Sequence, residues 1–279
     1  MSTLSSPRRP DRISSVLLII AILIALFPAA WLLLSALRPP GELASGLTTV
    51  TLTLENFRVA FSETGLVRWL ATSLVIAATT TAVGLLFGAM AAFALAQYRF
   101  AGAGVLFFLI LFSISVPEYV TLIPSFVIAR SLGLIDTVWA VILPLIPHGM
   151  TVFLLRQYFR QVPEEILDAA RIDGAGEFRL FFQIAIPMVR PGLAAAAILL
   201  FLSSWNAYLI PLVMLRSDGM STITTGLASL YSDLSLGNPP YDPWSAIIGA
   251  TIVSVLPLAL LLVAMQRHFV SGLTAGAVK

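Results

Sequence analysis

Cysteine is missing from all 279 residues. Disulfides, thiolate metal sites and cysteine nucleophiles are therefore excluded. Lysine is nearly missing too: fifteen of the sixteen basic residues are arginine, and the one lysine is Lys279. A Gly-x-x-x-x-Gly-Lys-Ser/Thr phosphate cradle needs an internal lysine, so this chain cannot hold a nucleotide that way. With only His148 and His268, no multi-histidine metal site can form. Neither Gly-x-Ser-x-Gly nor His-Glu-x-x-His occurs, which leaves an enzyme reading without a catalytic constellation. Charge is scarce at 11%, where an average soluble domain carries about a quarter. In its place stand 58% hydrophobic residues and a mean hydropathy of +0.96. That is the composition of an integral membrane protein, and a net charge of +2 gives no reason to invoke nucleic acid.

Apolar runs cover Ile13–Leu37, Trp69–Gln97, Val105–Ala129, Asp136–Leu155, Pro191–Leu215 and Trp244–Gln266. Each can cross a hydrocarbon core of about 30 Å, which takes about 20 helical residues. Lipid offers the backbone no hydrogen-bond partners, so each run is predicted to be helical. The expected fold is an all-α integral membrane protein of six transmembrane helices. The first run is too long for a signal-peptide core and lacks a clear small-x-small site before Arg38, so it reads as a retained span. Residues 1–12 read as a disordered cytoplasmic tail, 13–266 as the transmembrane domain, and 267–279 as a cytoplasmic C-terminal tail. With both termini cytoplasmic, eleven basic residues fall inside and five (Arg38, Arg58, Arg68, Arg130, Arg216) outside, as the positive-inside rule requires. The outside connections are too short for a ligand-binding domain, which typically needs 50 residues or more.

Residues 157–190, between the fourth and fifth spans, form the longest polar interruption on the inner side. Pro163 suits a first helical position, and Glu164 and Glu165 then sit in the first turn, where the helix dipole favours negative charge. Gly174 can end the helix in the left-handed conformation. Ile166, Ala169, Ala170 and Asp173 recur at i, i+3, i+4 and i+7, predicting a small, mostly apolar face. Beyond the hinge, Phe178, Phe181 and Phe182 are predicted to share one side of a second helix that Pro187 closes. An amphipathic helix resting on the inner leaflet would give much of this pattern.

The spacing Asp168-Ala169-Ala170, Gly174, Ile184-Ala185-Ile186-Pro187 resembles the "EAA" loop of ATP-binding-cassette importer permeases. Asp168 stands where that family usually has glutamate. The resemblance runs over nearly the whole chain. It includes Glu55-Asn56-Phe57, Tyr98-Arg99-Phe100-Ala-Gly102, Ser204-Trp205-Asn206, Gln266-Arg267, and Gly272-Leu273-Thr274 with Gly276-Ala277-Val278-Lys279. It points to the carbohydrate branch, and within it to the smaller six-helix permease of maltose-type transporters. Thr72 and Ala207 depart from the family pattern, which often has asparagine and an acidic residue there. The resemblance implies a coupling helix that docks on a cytoplasmic ATPase, with Glu165, Asp168, Ala169, Ala170, Asp173, Gly174 and Phe178 as the coupling residues. It also implies a second homologous permease, two ATPase copies that carry ATP and Mg, and an extracytoplasmic solute-binding protein. This chain itself would need no cofactor and no metal, and it would reside in the bacterial cytoplasmic membrane.

Ionisable or amide groups within spans mark candidate paths. Glu118 and Asn206 are predicted at similar depth, about 20 and 22 Å along their spans at 1.5 Å per residue. Tyr119, Trp205 and Tyr208 flank them, so carboxylate, amide and aromatic faces could line a sugar path. The same aromatics could instead form an interfacial belt, and Glu118 could cap a helix broken near Pro117 and Pro124. His148, after Leu143-Pro-Leu-Ile-Pro147, is predicted to be neutral and bonded to a freed carbonyl. Gly84 and Gly88 form a Gly-x-x-x-Gly pair for close helix contact, within this subunit or against a partner. A gradient-driven secondary transporter is the alternative class. It would want inward carboxylates in several spans and inverted repeats, and only Glu118 qualifies.

Overall fold

The computed structural model describes residues 12–39, 51–217, 219–236 and 241–275. Residues 1–11 and 276–279, parts of the expected tails at 1–12 and 267–279, lie outside the described residues. Every regular element among the described residues is helical. The chain divides into two compact units, Met1–Thr64 with Leu230–Val253, and Gly65–Ser229 with Ser254–Lys279.

In the first unit lie α1 (Arg12–Ala36) and α2 (Glu55–Ser62). The apolar span within α1 is 0% buried, so its Val, Leu, Ile and Phe side chains face outward on every side. Asn56, fully buried, holds the two helices together. Its Nδ2 donates to the carbonyl of Ala36, which the end of α1 leaves without an intrahelical partner, at 2.9 Å, and to that of Arg38 just past the helix at 2.7 Å. That is the structural content of the Glu55-Asn56-Phe57 signature. The same unit contains the end of α12 (Ile223–Leu236) and the start of α13 (Pro243–Ala275), numbered here in chain order after the helices of the second unit. At Gly249 a Cβ would overlap the Asn56 carbonyl oxygen, so only glycine lets α13 pass there. The helix of α13 runs beyond Gln266 to Ala275, into the segment expected to be a tail.

The second unit is built on α3 (Leu66–Gln97). The Gly84–Gly88 pair serves packing inside this unit. A Cβ at Gly84 would sit 3.1 Å from the Ile146 carbonyl oxygen, and one at Gly88 would sit 2.9 Å from Thr151 Cγ2. Small residues on α3 thus let α7 (Gly149–Phe159) and α10 (Arg190–Trp205) approach closely.

Among the described residues three helices are long and apolar enough to cross alone, and six spans result when each of three bent pairs counts as one. The third predicted span is two helices, α4 (Ala103–Ile114) and α5 (Glu118–Ser131), meeting at 103°. Pro117 cannot donate to the α4 ladder and takes extended ψ, which ends that helix. The fourth breaks by 44° between α6 (Val138–Leu145) and α7, where Pro144 and Pro147 remove two donors. There His148 Nδ1 lies 2.9 Å from the Thr151 hydroxyl, so its partner is a side chain three residues on and not the predicted freed carbonyl. The fifth ends at Trp205, and the short α11 (Leu209–Met214) follows.

Asn56→Ala should leave the two carbonyls at the end of α1 unpaired and cost about 1–3 kcal/mol. Asn56→Asp should cost more, because it sets an anion against carbonyl oxygens. Thermal melts of the purified variants in detergent check the order wild type, Ala, Asp.

Candidate functional site

The loop predicted from sequence is two helices joined by a glycine. Pro163 sits just ahead of α8 (Glu164–Ile172), one position earlier than expected, and Glu164 and Glu165 occupy the first turn. At the far end the Gly174 N–H donates to the Arg171 carbonyl at 3.0 Å and the Ala175 N–H to the Ala170 carbonyl at 2.9 Å. Those two bonds, with Gly174 at φ +81°, make a Schellman cap. The next helix, α9 (Glu177–Met188), carries a π-helical stretch at Leu180–Ala185 and meets α10 at 85°. Its charged first turn therefore lies outside the α10 span.

Two side chains fix the loop to the body. Leu167 is 1% exposed and Phe181 4%, both in a cluster with Phe93 of α3 and Phe159 of α7. The Phe181 ring centroid lies 5.4 Å from that of Phe93, and Phe93 lies 5.4 Å from Phe159. Of the residues predicted to share a small apolar face of α8, Ile166, Ala169 and Asp173 are exposed and Ala170 is half-buried, while Leu167 turns inward. The three phenylalanines separate as well. Phe181 is buried; Phe178 and Phe182 are exposed. Of the seven predicted loop residues, Glu165, Asp168, Ala169, Asp173, Gly174 and Phe178 are exposed, and Ala170 is half-buried. Ile172 and Phe178 are 87% and 73% exposed, a large apolar surface for a segment that carries this much charge.

A polar clasp closes over the hinge. The Tyr98 hydroxyl, just past α3, donates to the Glu177 carboxylate. Arg171 donates through Nε to Glu177 at 3.2 Å and through Nη1 to Asp168 at 2.8 Å, with its guanidinium 5.9 Å from the Tyr98 ring centroid. The Asp168 carboxylate is thus held within the loop. The Tyr98 hydroxyl and then Arg171 hold the Glu177 carboxyl below the usual range, against burial that pushes it up. Burial first, and then Glu177, push the Tyr98 hydroxyl up.

The second set of predicted residues is divided. Trp205 is 4% exposed and stacks on Phe201 at 5.6 Å, so it is part of the core and offers no open face. Glu118, Tyr119, Asn206 and Tyr208 are exposed. Asn206 donates to the Leu202 carbonyl at 2.9 Å. Glu118 is the first residue of α5 and sits beyond the 103° turn, so a depth measured along a straight third span no longer applies. Its carboxylate occupies the favourable end of the α5 dipole.

Residues 84–275 match the family described as "Binding-protein-dependent transport system inner membrane component". Similar proteins over almost the whole chain include the arabinooligosaccharides transport system permease protein AraQ of Halalkalibacterium halodurans, 40% identical over 92% of both chains. The lactose transport system permease protein LacG of Rhizobium radiobacter is 34% identical over 100% of both. The diacetylchitobiose uptake system permease protein NgcG of Streptomyces coelicolor is 31% identical over 98% of this chain and 90% of its own. The chain belongs to this family of transport permeases. A chain in the crystal structure of a bacterial ABC transporter involved in import of the acidic polysaccharide alginate has the same fold. Its TM-score is 0.82 at 22% identity, covering 95% of this permease and 100% of that chain.

Sequence reasoning on the permease missed Leu167, Arg171 and Glu177 as determinants of the loop. Leu167 was legible as the one large aliphatic residue three positions before Ala170, but the alternative phase through Ile166 fits the same periodicity. The partnership of Tyr98 with Glu177 spans 79 residues and has no sequence signal.

Glu177 contributes to holding the clasp above the ordinary glutamate range near ~4.3, and that contribution is lost as pH falls through its lower folded value. Tyr98 contributes below ~10, and that contribution is lost as pH rises above it. Glu177→Gln at neutral pH should raise amide exchange over residues 172–178 by up to roughly fivefold, the worth of a partly exposed ion pair. Hydrogen–deuterium exchange by mass spectrometry reads this, with residues 84–97 of α3 as the unaffected control.

Proposed function

We propose that this permease is the membrane-spanning subunit of an ATP-driven sugar importer, coupled to a separate ATPase through the loop around Asp168–Gly174. The observation that carries the reading is the division within that loop. Leu167 and Phe181 lock it into the same core as α3 and α7, while Ala169, Ile172, Gly174 and Phe178 stay exposed. A segment held on one side and apolar on the other is suited to transmit a push. With eleven basic residues on its side of the membrane against five opposite, the loop faces the cytoplasm in this reading, as do both termini.

The assembly comprises this chain, a second homologous permease, two ATPase copies with ATP and Mg, and an extracytoplasmic binding protein. When the ATPases close on ATP, the docked α8 moves with them and the spans rock between outward and inward access. The sugar class rests on relatives named for arabinooligosaccharides, diacetylchitobiose and lactose. Glu118, Tyr119, Asn206 and Tyr208 remain candidates for this subunit's part of the path. Carboxylate and amide groups there would hydrogen-bond sugar hydroxyls while tyrosine rings cover the apolar faces.

The absence of native cysteine makes a single-cysteine test clean. Ala169→Cys should crosslink to a nucleotide-hydrolysing partner, and the yield should change when ATP is bound. Absence of any such crosslink, or labelling of the introduced thiol from outside intact cells, overturns the reading. Phe178→Ala should weaken docking by on the order of 2 kcal/mol, roughly 30-fold in affinity, with the permease still folded. Glu118→Gln and Asn206→Ala should alter substrate affinity or uptake rate at normal expression, and unchanged uptake removes them from the path.

A further inference from the structure

Beside the coupling loop, on the same unit, is a hollow of about 540 Å³ that the reading above does not use. Three guanidinium groups line it. Arg99 follows the end of α3; Arg156 and Arg160 lie one turn apart at the end of α7. Glu164 is the one carboxylate on its wall, so the lining carries a net positive charge. Like charges at i and i+4 on a helix repel, and Arg156 and Arg160 have that spacing. Neither Arg99 nor Arg160 has a carboxylate in ion-pair range among the described residues. Arg156 is fixed in place: its Nε donates to the Leu95 carbonyl at 3.1 Å, and its guanidinium lies 4.0 Å from the Phe107 ring centroid. The helix ends that reach the hollow would ordinarily present negative carbonyls to it. Two of these are already occupied, Leu95 by Arg156 and Phe159 by the Gln97 side-chain amide at 2.6 Å.

The depth of the hollow identifies what meets it. It lies where α3 ends, α4 begins and α7 ends, the level at which three apolar helices stop. That is the level of lipid headgroups. From its Ala103 wall, α4 continues as an apolar surface with no buried residue; Val105, Phe108 and Leu109 are each more than half exposed. A cationic hollow continuous with an apolar flank matches a molecule with an anionic head and acyl chains. Basic pockets between spans on the cytoplasmic side bind such headgroups in other membrane proteins.

We infer that Arg99, Arg156 and Arg160 receive the phosphate of an anionic phospholipid, whose acyl chains lie along α4. The bound phosphate relieves the repulsion between Arg156 and Arg160 and ties the end of α3 to the end of α7, next to the helix that the ATPase would move. The inference needs only a chain embedded in a membrane, and it stands or falls separately from substrate and coupling.

The test uses the full-length chain in neutral detergent, with whatever subunits accompany it. Thermal melts are run with phosphatidylglycerol, with phosphatidylcholine, and with inorganic phosphate. Phosphatidylglycerol at about a hundredfold over its Kd should raise the wild-type midpoint by roughly 5 °C, and phosphatidylcholine should not. The shift should fall by at least half in Arg99→Gln and in Arg160→Gln, and it should persist in Arg179→Gln, which removes the same charge outside the hollow. Native mass spectrometry should count at least one fewer retained phosphatidylglycerol in the first two variants, which keeps the test readable if their melts change for other reasons. Equal losses in all three variants, or no preference for phosphatidylglycerol, overturn the site. Inorganic phosphate reproducing the full shift at equal concentration keeps a phosphate site and overturns its assignment to lipid.

Discussion

The aromatic contact among Phe93, Phe159 and Phe181 is the joint on which the inner end of the second unit depends. Three rings from α3, α7 and α9 meet there, and Leu167 of α8 fills the remaining side. Buried rings of this kind contribute through area and through edge-to-face geometry together, the latter about 0.5–1.5 kcal/mol per pair. Close-packed interiors transmit displacement because they have no slack to absorb it. A loop seated in such a joint cannot shift without moving the helices that share it. The polar clasp of Tyr98, Arg171 and Glu177 then sets the angle of the hinge, where packing sets its attachment.

Against that rigid joint stand the broken spans. Proline at 117, 144 and 147 removes donors that a membrane helix must otherwise satisfy internally. The bends fall at Ser115–Pro117, which is largely exposed, and at Ile146–His148, which is mostly half-buried. Near the second, Gly84 lets the Ile146 carbonyl approach α3 within 3.1 Å of where a Cβ would be. Irregular backbone at such depth is tolerated when it is enclosed by protein or lines a cavity.

Much of this was readable in the chain. Apolar run lengths located the helices, because lipid imposes a length that soluble cores do not. Gly174 was readable as a stop because a left-handed cap leaves few residue choices. The 103° turn before Glu118 was not readable: proline announces a break but carries no angle, and the direction taken by α5 depends on packing against α11 and α6. Nor was the inward phase of α8, since an α-helix with apolar residues at 166, 167, 169 and 170 offers two competing faces. Burial of Leu167 decides between them, and burial is a property of the partner surface. Trp205 illustrates the same limit from the other side. A tryptophan beside an asparagine suits a sugar path in composition, but Phe201 one turn earlier takes its face.

The first helix closes the account differently. Its apolar span is wholly unburied, and apolar residues occur on every side of it, so no stripe marks a preferred direction. A cylinder without a marked side has no rotational register of its own. Whatever neighbour comes to lie along it will choose the azimuth, and its sequence can drift widely among Leu, Ile, Val and Phe at little cost to the rest of the chain. Only its last turn, fastened by one asparagine, is obliged to stay as it is.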